Sequence, residues 1–188
     1  MRLTSVDQSA ALLRVVRLGH PVLRAVAEPV PADWLDSGRL HALGSSLIRT
    51  MIEEDGVGLA APQVAEPLRL FAYWVPGNDL GDEVAPTVVV NPEIRPVSDE
   101  LVEGWEGCLS IPGLRGLVPR YTRIKVKGLS VKGEPISFTA DDFHARVIQH
   151  ELDHLDGIVF LDRMRSMQSL AFEDELRQLA ADDDADES

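Results

Sequence analysis

The stretch His150-Glu151-Leu152-Asp153-His154 restricts this chain more than any other. At about 100° per residue along a helix, His154 lies about 40° round from His150, and Glu151 about 100° round, so all three share one quadrant. Phe143 and Val147 fall in the same arc, which turns the histidines and the glutamate toward the core. Arg146, Gln149, Asp153 and Asp156 gather on the opposite side. The helix is predicted over about residues 142–155, with Asp141 or Asp142 as its N-cap. A carboxylate carried into a core needs a partner. Two imidazoles one turn apart meet that need through a shared divalent metal, whose bound water the glutamate can reach. Chance produces such a pentapeptide only about 0.01 times in a chain of this length and composition. The pattern therefore predicts a central helix with a metal on its inner face.

A site that does chemistry needs a third protein ligand and an open fourth position. The stretch continues to Gly157 as it does in metzincin proteases, but Phe160 stands where their third histidine would fall, which removes that reading. Glu173 or Asp174, 19 or 20 residues past His154, stand where thermolysin-like proteases keep a glutamate ligand. The third candidate is Cys108, the only cysteine, in Glu106-Gly107-Cys108-Leu109-Ser110. It precedes Ile111-Pro112-Gly113, a tight segment able to present a side chain and backbone N–H groups together. A thiolate with two imidazoles suits zinc, iron(II), cobalt or nickel.

Around this helix the chain reads as a single α+β domain, with antiparallel strands packed around the central metal-binding helix. Its 188 residues suffice for a core without staples, and one cysteine allows no internal disulfide. No apolar run approaches the roughly 18 residues of a membrane span, and no signal peptide is visible, so the cytoplasm is the expected compartment. A first helix is predicted over about residues 40–54, stopped by Gly56. Strands are expected over residues 68–75 and 87–90, the second ended by Asn91-Pro92. The alternating run from Arg123 to Lys127 pairs with Ile136 and Phe138 as a hairpin turned at Lys132-Gly133. A weaker third helix is expected over about residues 167–180. The net charge of −13 argues against direct nucleic-acid binding. Much of it lies in residues 173–188, where eight acids meet one arginine; this is read as an acidic tail, a helix end and then disorder, after a domain over residues 1–172.

Three ordered segments together carry a resemblance. Gly56-Val57-Gly58-Leu59-Ala60-Ala61-Pro62-Gln63, the Cys108 segment and the His150 helix resemble the motifs of peptide deformylases, in order and spacing, from about Leu13 to Met164. The run Leu114-Arg115-Gly116-Leu117-Val118-Pro119-Arg120 adds to the similarity. The resemblance implies a hydrolase that removes the N-formyl group from the initiator methionine of nascent polypeptides and releases formate. It implies Cys108, His150 and His154 as metal ligands and Glu151 as general acid/base to a metal-activated water. Gln63 and the Leu109 N–H are implied as donors to the formyl oxygen. Val57, Gly58 and Gly107 are implied to hold the substrate backbone as an added strand. The metal implied is iron(II), with zinc, nickel or cobalt able to replace it. The partners implied are N-formylmethionyl nascent chains, at the ribosome, met by a monomer. Arg115 is read as a substrate contact and Arg120 as a structural ion-pair partner. Trp105 either shapes the mouth of the site or packs. His20, His41 and His144 are read as solvent or packing residues.

Overall fold

The computed structural model describes residues 7–77 and 83–186. Helix α1 (Gly38–Glu53) starts where the Ser37 hydroxyl accepts from the Leu40 N–H, and its apolar face, with Leu40, Leu47 and Met51, is fully buried. Then follow β1 (Gly58–Ala60), β2 (Leu70–Val75), β3 (Val84–Pro96), β4 (Leu101–Cys108), β5 (Ile111–Tyr121), β6 (Arg123–Leu129) and β7 (Pro135–Asp141). Helix α2 (Asp142–Leu155) carries the two histidines, and a single turn, α3 (Phe160–Arg163), follows it. The chain closes with β8 (Ala171–Phe172) and α4 (Glu173–Asp186).

Every ladder between these strands is antiparallel. One sheet runs β1-β2-β3-β6-β7 and the other β4-β5-β8. Strand β2 shows why the larger sheet reads as unbroken apolar sequence. Phe71 and Tyr73 face one core with Ile148 and Leu155 of α2, whereas Leu70 and Ala72 face another with Leu40 and Leu47 of α1. A sheet covered on both faces has no wet side to alternate with. Helix α2 touches both sheets, so residues on its different sides are held by different strands. Among the described residues no helix is long and apolar enough to cross a membrane.

Three expectations are corrected. Asn91-Pro92 does not end a strand: β3 runs straight through it. Asn91 takes a left-handed φ of 49° at a shift in register, and its side-chain amide bonds the Val30 backbone on both sides, so the breaker forms a bulge. The expected helix over 167–180 begins only at Glu173, because Ala171 and Phe172 are drawn into a ladder with Arg115 and Leu114. The side of α2 opposite the histidines is not wet: Gln149 and Asp153 are buried there, while Phe143, expected inside, is 44% exposed. The hairpin of β4 and β5 was not read from the sequence, since glycines and prolines interrupt its alternation.

Candidate metal centre

Three side chains from two distant segments of the chain converge on one point. Helix α2 presents His150 and His154; the end of β4 presents Cys108. One donor atom from each lies within 4.8 Å of the other two. The Cys108 sulfur is 3.3 Å from His154 Nε2, and the two imidazoles meet edge to face, 5.0 Å apart. Burial pushes the Cys108 thiol up, but the charges of His154 and His150 outweigh it and hold the group well below its usual range. Burial pushes His150 down, and its bonds to Cys108 and Glu106 reverse that and hold it well above the ordinary imidazole value. A thiolate and two ring nitrogens on one point fit a borderline divalent cation. Glu173, the rival third ligand, lies outside this cluster and is bound to Arg115 and Arg177.

Glu151 points into the same space with Oε2 unpartnered, and burial raises its carboxyl to about 7. It fits because residue 58 is glycine: a Cβ there would collide with the Glu151 carboxylate. His154 Nδ1 is the other buried side-chain atom here without a partner. Gln63, on the turn Ala61–Val64, is only 1% exposed. Its Oε1 accepts from the Ala60 N–H at 2.8 Å, which aims Nε2 at the Cys108 sulfur (3.4 Å) and the Ser110 hydroxyl (3.3 Å).

A cavity of about 250 Å³ opens beside these groups. Val57, Gly58, Gly107, Leu109 and Arg115 all line it, so the structure brings the metal-ligand, catalytic and substrate-contact residues implied by the resemblance to one cleft or its donor cluster. Trp105 lines it too, 45% exposed, and so shapes the mouth. Arg115 is also tied to Glu173 of α4, at 2.9 Å. The remaining histidines stand apart: His20 accepts from the Val22 N–H, His41 meets Asp36, and His144 meets the Tyr73 hydroxyl.

Of the supports, sequence reasoning named only the ion pairing of Arg120 and missed its partners. Glu106 accepts from Arg120 through both its oxygens (2.9 and 3.0 Å), from Arg146 (2.9 Å) and from His150 Nδ1 (2.9 Å). Arg120 also donates to Asp153, which Arg163 holds from the other side. Burial alone would raise the Glu106 carboxyl; the bonds from His150 and Arg120 prevail and hold it at about 2. Fixing Nδ1 of His150 leaves its Nε2 to face the metal space. The sequence carried little signal for them, since Arg146 and Asp153 read as the wet face of the helix.

With this geometry in place, likeness to known proteins is informative. Residues 12–170 match the polypeptide deformylase family. Peptide deformylase 1 of Bordetella pertussis is 44% identical over 161 residues, spanning 84% of this chain and 90% of that protein. A class I type b peptide deformylase from Acinetobacter baumannii, solved with Met-Ala-Ser bound, is 40% identical with a TM-score of 0.78, covering 82% of this chain and 99% of that one. The peptide deformylase structure from Thermotoga maritima is 38% identical, with a TM-score of 0.74 over 83% of this chain and 99% of that one. The chain belongs to the polypeptide deformylase family.

Proposed function

We propose that this chain deformylates N-formylmethionyl nascent peptides with Cys108, His150 and His154 holding one divalent metal ion and Glu151 moving the protons. The observation that carries the assignment is the donor cluster lying beside an unpartnered carboxylate oxygen. A divalent cation there supplies Lewis acidity, which lowers the pKa of water and polarises a carbonyl. Glu151 takes the proton of the attacking water and returns it to the leaving amine, so that formamide plus water becomes amine plus formate. Gln63 Nε2 and the Leu109 N–H donate to the oxygen that gains charge as the carbon becomes tetrahedral. The backbones of Val57, Gly58 and Gly107 pair with the peptide as an added strand, and Arg115 meets it further along. Met-Ala-Ser, the peptide bound in the Acinetobacter relative, is what this reaction leaves of formyl-Met-Ala-Ser.

The metal is iron(II), with zinc, nickel or cobalt as substitutes, and the protein acts as a monomer on chains at the ribosome, in the cytoplasm. Formate release from formyl-Met-Ala-Ser by anaerobically loaded protein tests the reaction. Cys108→Ser is expected to lose metal or activity; full retention of both returns the third-ligand question to Glu173. Activity of the iron form is expected to decay in air faster than that of the nickel form. Equal decay removes iron oxidation as the cause.

A further inference from the structure

The C-terminal segment reaches the cleft through Arg115. Ala171 and Phe172 pair with the edge of β5 at Arg115 and Leu114. That pairing delivers Glu173, the first residue of α4, to the Arg115 side chain, which donates to Glu173 Oε1 at 2.9 Å. Arg115 lies opposite Gly107 in the ladder between β4 and β5. Its side chain passes directly over that glycine: a Cβ on residue 107 would stand 2.9 Å from Cδ, Nε and Cζ of Arg115. The guanidinium therefore covers the backbone just before Cys108, and it lines the cleft there. The ion pair is open to solvent, with side-chain exposures of 39% and 29%. Arg146, the other arginine on the wall, is committed to Glu106 and to the carbonyls of Val102, Gly104 and Val118. Of the two arginines, Arg115 is thus the one open to an incoming anion, and α4 puts a carboxylate on it first.

We infer that Glu173 is a positioning residue for Arg115 and sets the charge preference of the peptide site, disfavouring chains with an acidic third residue. The inference rests on the deformylase reading, with the peptide laid beside Gly107 as an added strand. Side chains alternate along a strand and advance about 3.3 Å per residue, so the first and third face the protein about 7 Å apart. The third side chain, not the second, then meets the guanidinium that lies over Gly107. A carboxylate arriving there must displace Glu173 from Arg115 or face it as a like charge, whereas a neutral or basic side chain displaces nothing. Asp55 also lines the cleft and adds a negative charge against an acid. Arg177, one turn further along α4, donates to the same Glu173 oxygen at 2.8 Å and helps to hold the carboxylate in place.

The test measures formate release by the metal-replete parent, Glu173→Gln, and Glu173→Gln combined with Arg115→Ala. The substrates are formyl-Met-Ala-X amides with serine, glutamate or lysine as X; the terminal amide removes the peptide's own carboxylate. Glu173→Gln is expected to raise kcat/KM for the glutamate peptide, relative to the serine peptide, by about 3–5-fold, and to lower the lysine peptide relative to serine. The change is expected in KM, and added salt should shrink it, because both charges are partly exposed. Glu173→Ala removes the same charge and is expected to act in the same direction. Replacing Arg115 as well removes both charges of the pair and should return the glutamate-to-serine ratio to within about twofold of the parent. A double variant that keeps the full gain would make Glu173 a bare charge acting without Arg115, which overturns the inference. A merely structural role would scale all three peptides together, and that result also overturns it. Failure of the parent to release formate overturns the deformylase reading and this inference with it; unchanged selectivity in variants of an active parent overturns this inference alone.

Discussion

Glu106 and Glu151 line the same cavity and are equally buried, at 5% and 4% exposure, yet the protein treats them in opposite ways. Glu106 accepts from two arginines and a histidine and is held at about 2. Glu151 keeps an oxygen without a partner and is raised to about 7. A saturated buried carboxylate is a fixed brace, whereas an unsaturated one is a group waiting for a proton. The difference teaches where to look for chemistry in this fold: the side of α2 whose polar atoms are all paired braces the helix, and the side with unpaired atoms lies at the donor cluster.

Truncating the two should separate them most sharply. Glu151→Ala is expected to lower kcat for formate release by about 10²–10⁴-fold while metal content stays at one per chain. In the metal-free protein Glu151→Gln should also raise unfolding stability at pH 7, by about 1–3 kcal/mol, because it removes an unpaired buried charge. Glu106→Ala should do the reverse and destabilise by about 3–5 kcal/mol, leaving Arg120, Arg146 and His150 without their common acceptor. Urea midpoints that move the same way in both variants would erase the distinction. Gln63→Ala should fall between them, with kcat down about 10²–10³-fold, since it removes one oxyanion donor. A change confined to KM would assign Gln63 to binding instead.

What the sequence revealed follows the same division. The unsaturated side was legible in part, because metal and proton chemistry accept few residue types and fixed spacings: His150, Glu151 and His154 stood out by their spacing, Cys108 was one of the candidates for third ligand, and Gln63 entered only through the resemblance to the deformylase motifs. The brace was not. Arg146, Asp153 and Gln149 show the periodicity of a wet helix face, and only the second sheet laid against them, with Glu106 and Arg120, turns that face into an interior. That sheet was itself hidden, since Gly104, Gly107, Gly113 and Gly116 leave β4 and β5 without strand alternation. The helix α1 and the hairpin of β6 and β7 were readable because each has one covered face, the condition under which periodicity reports burial. Beyond residue 166 local helical pattern lost to an open edge: β5 had a free side, and two residues were taken for it.

The smallest effect expected, and the one that measures the contrast most directly, is in the pH dependence of stability of the metal-free protein. The folded value of Glu106, about 2, lies below its ordinary 4.5, so its contribution is present above pH 4.5 and is lost as pH falls toward 2. The folded value of Glu151, about 7, lies above 4.5, so its contribution is present below pH 4.5 and is lost as pH rises toward 7. Each amounts to at most about 3 kcal/mol, the two windows meeting near pH 4.5. Unfolding free energies followed from pH 2.5 to 7.5 should therefore show Glu106→Gln flattening only the acid limb and Glu151→Gln only the limb approaching neutrality. A Glu151→Gln curve parallel to that of the parent above pH 4.5 would mean that this carboxyl titrates normally in the metal-free protein, and the contrast with Glu106 would be lost.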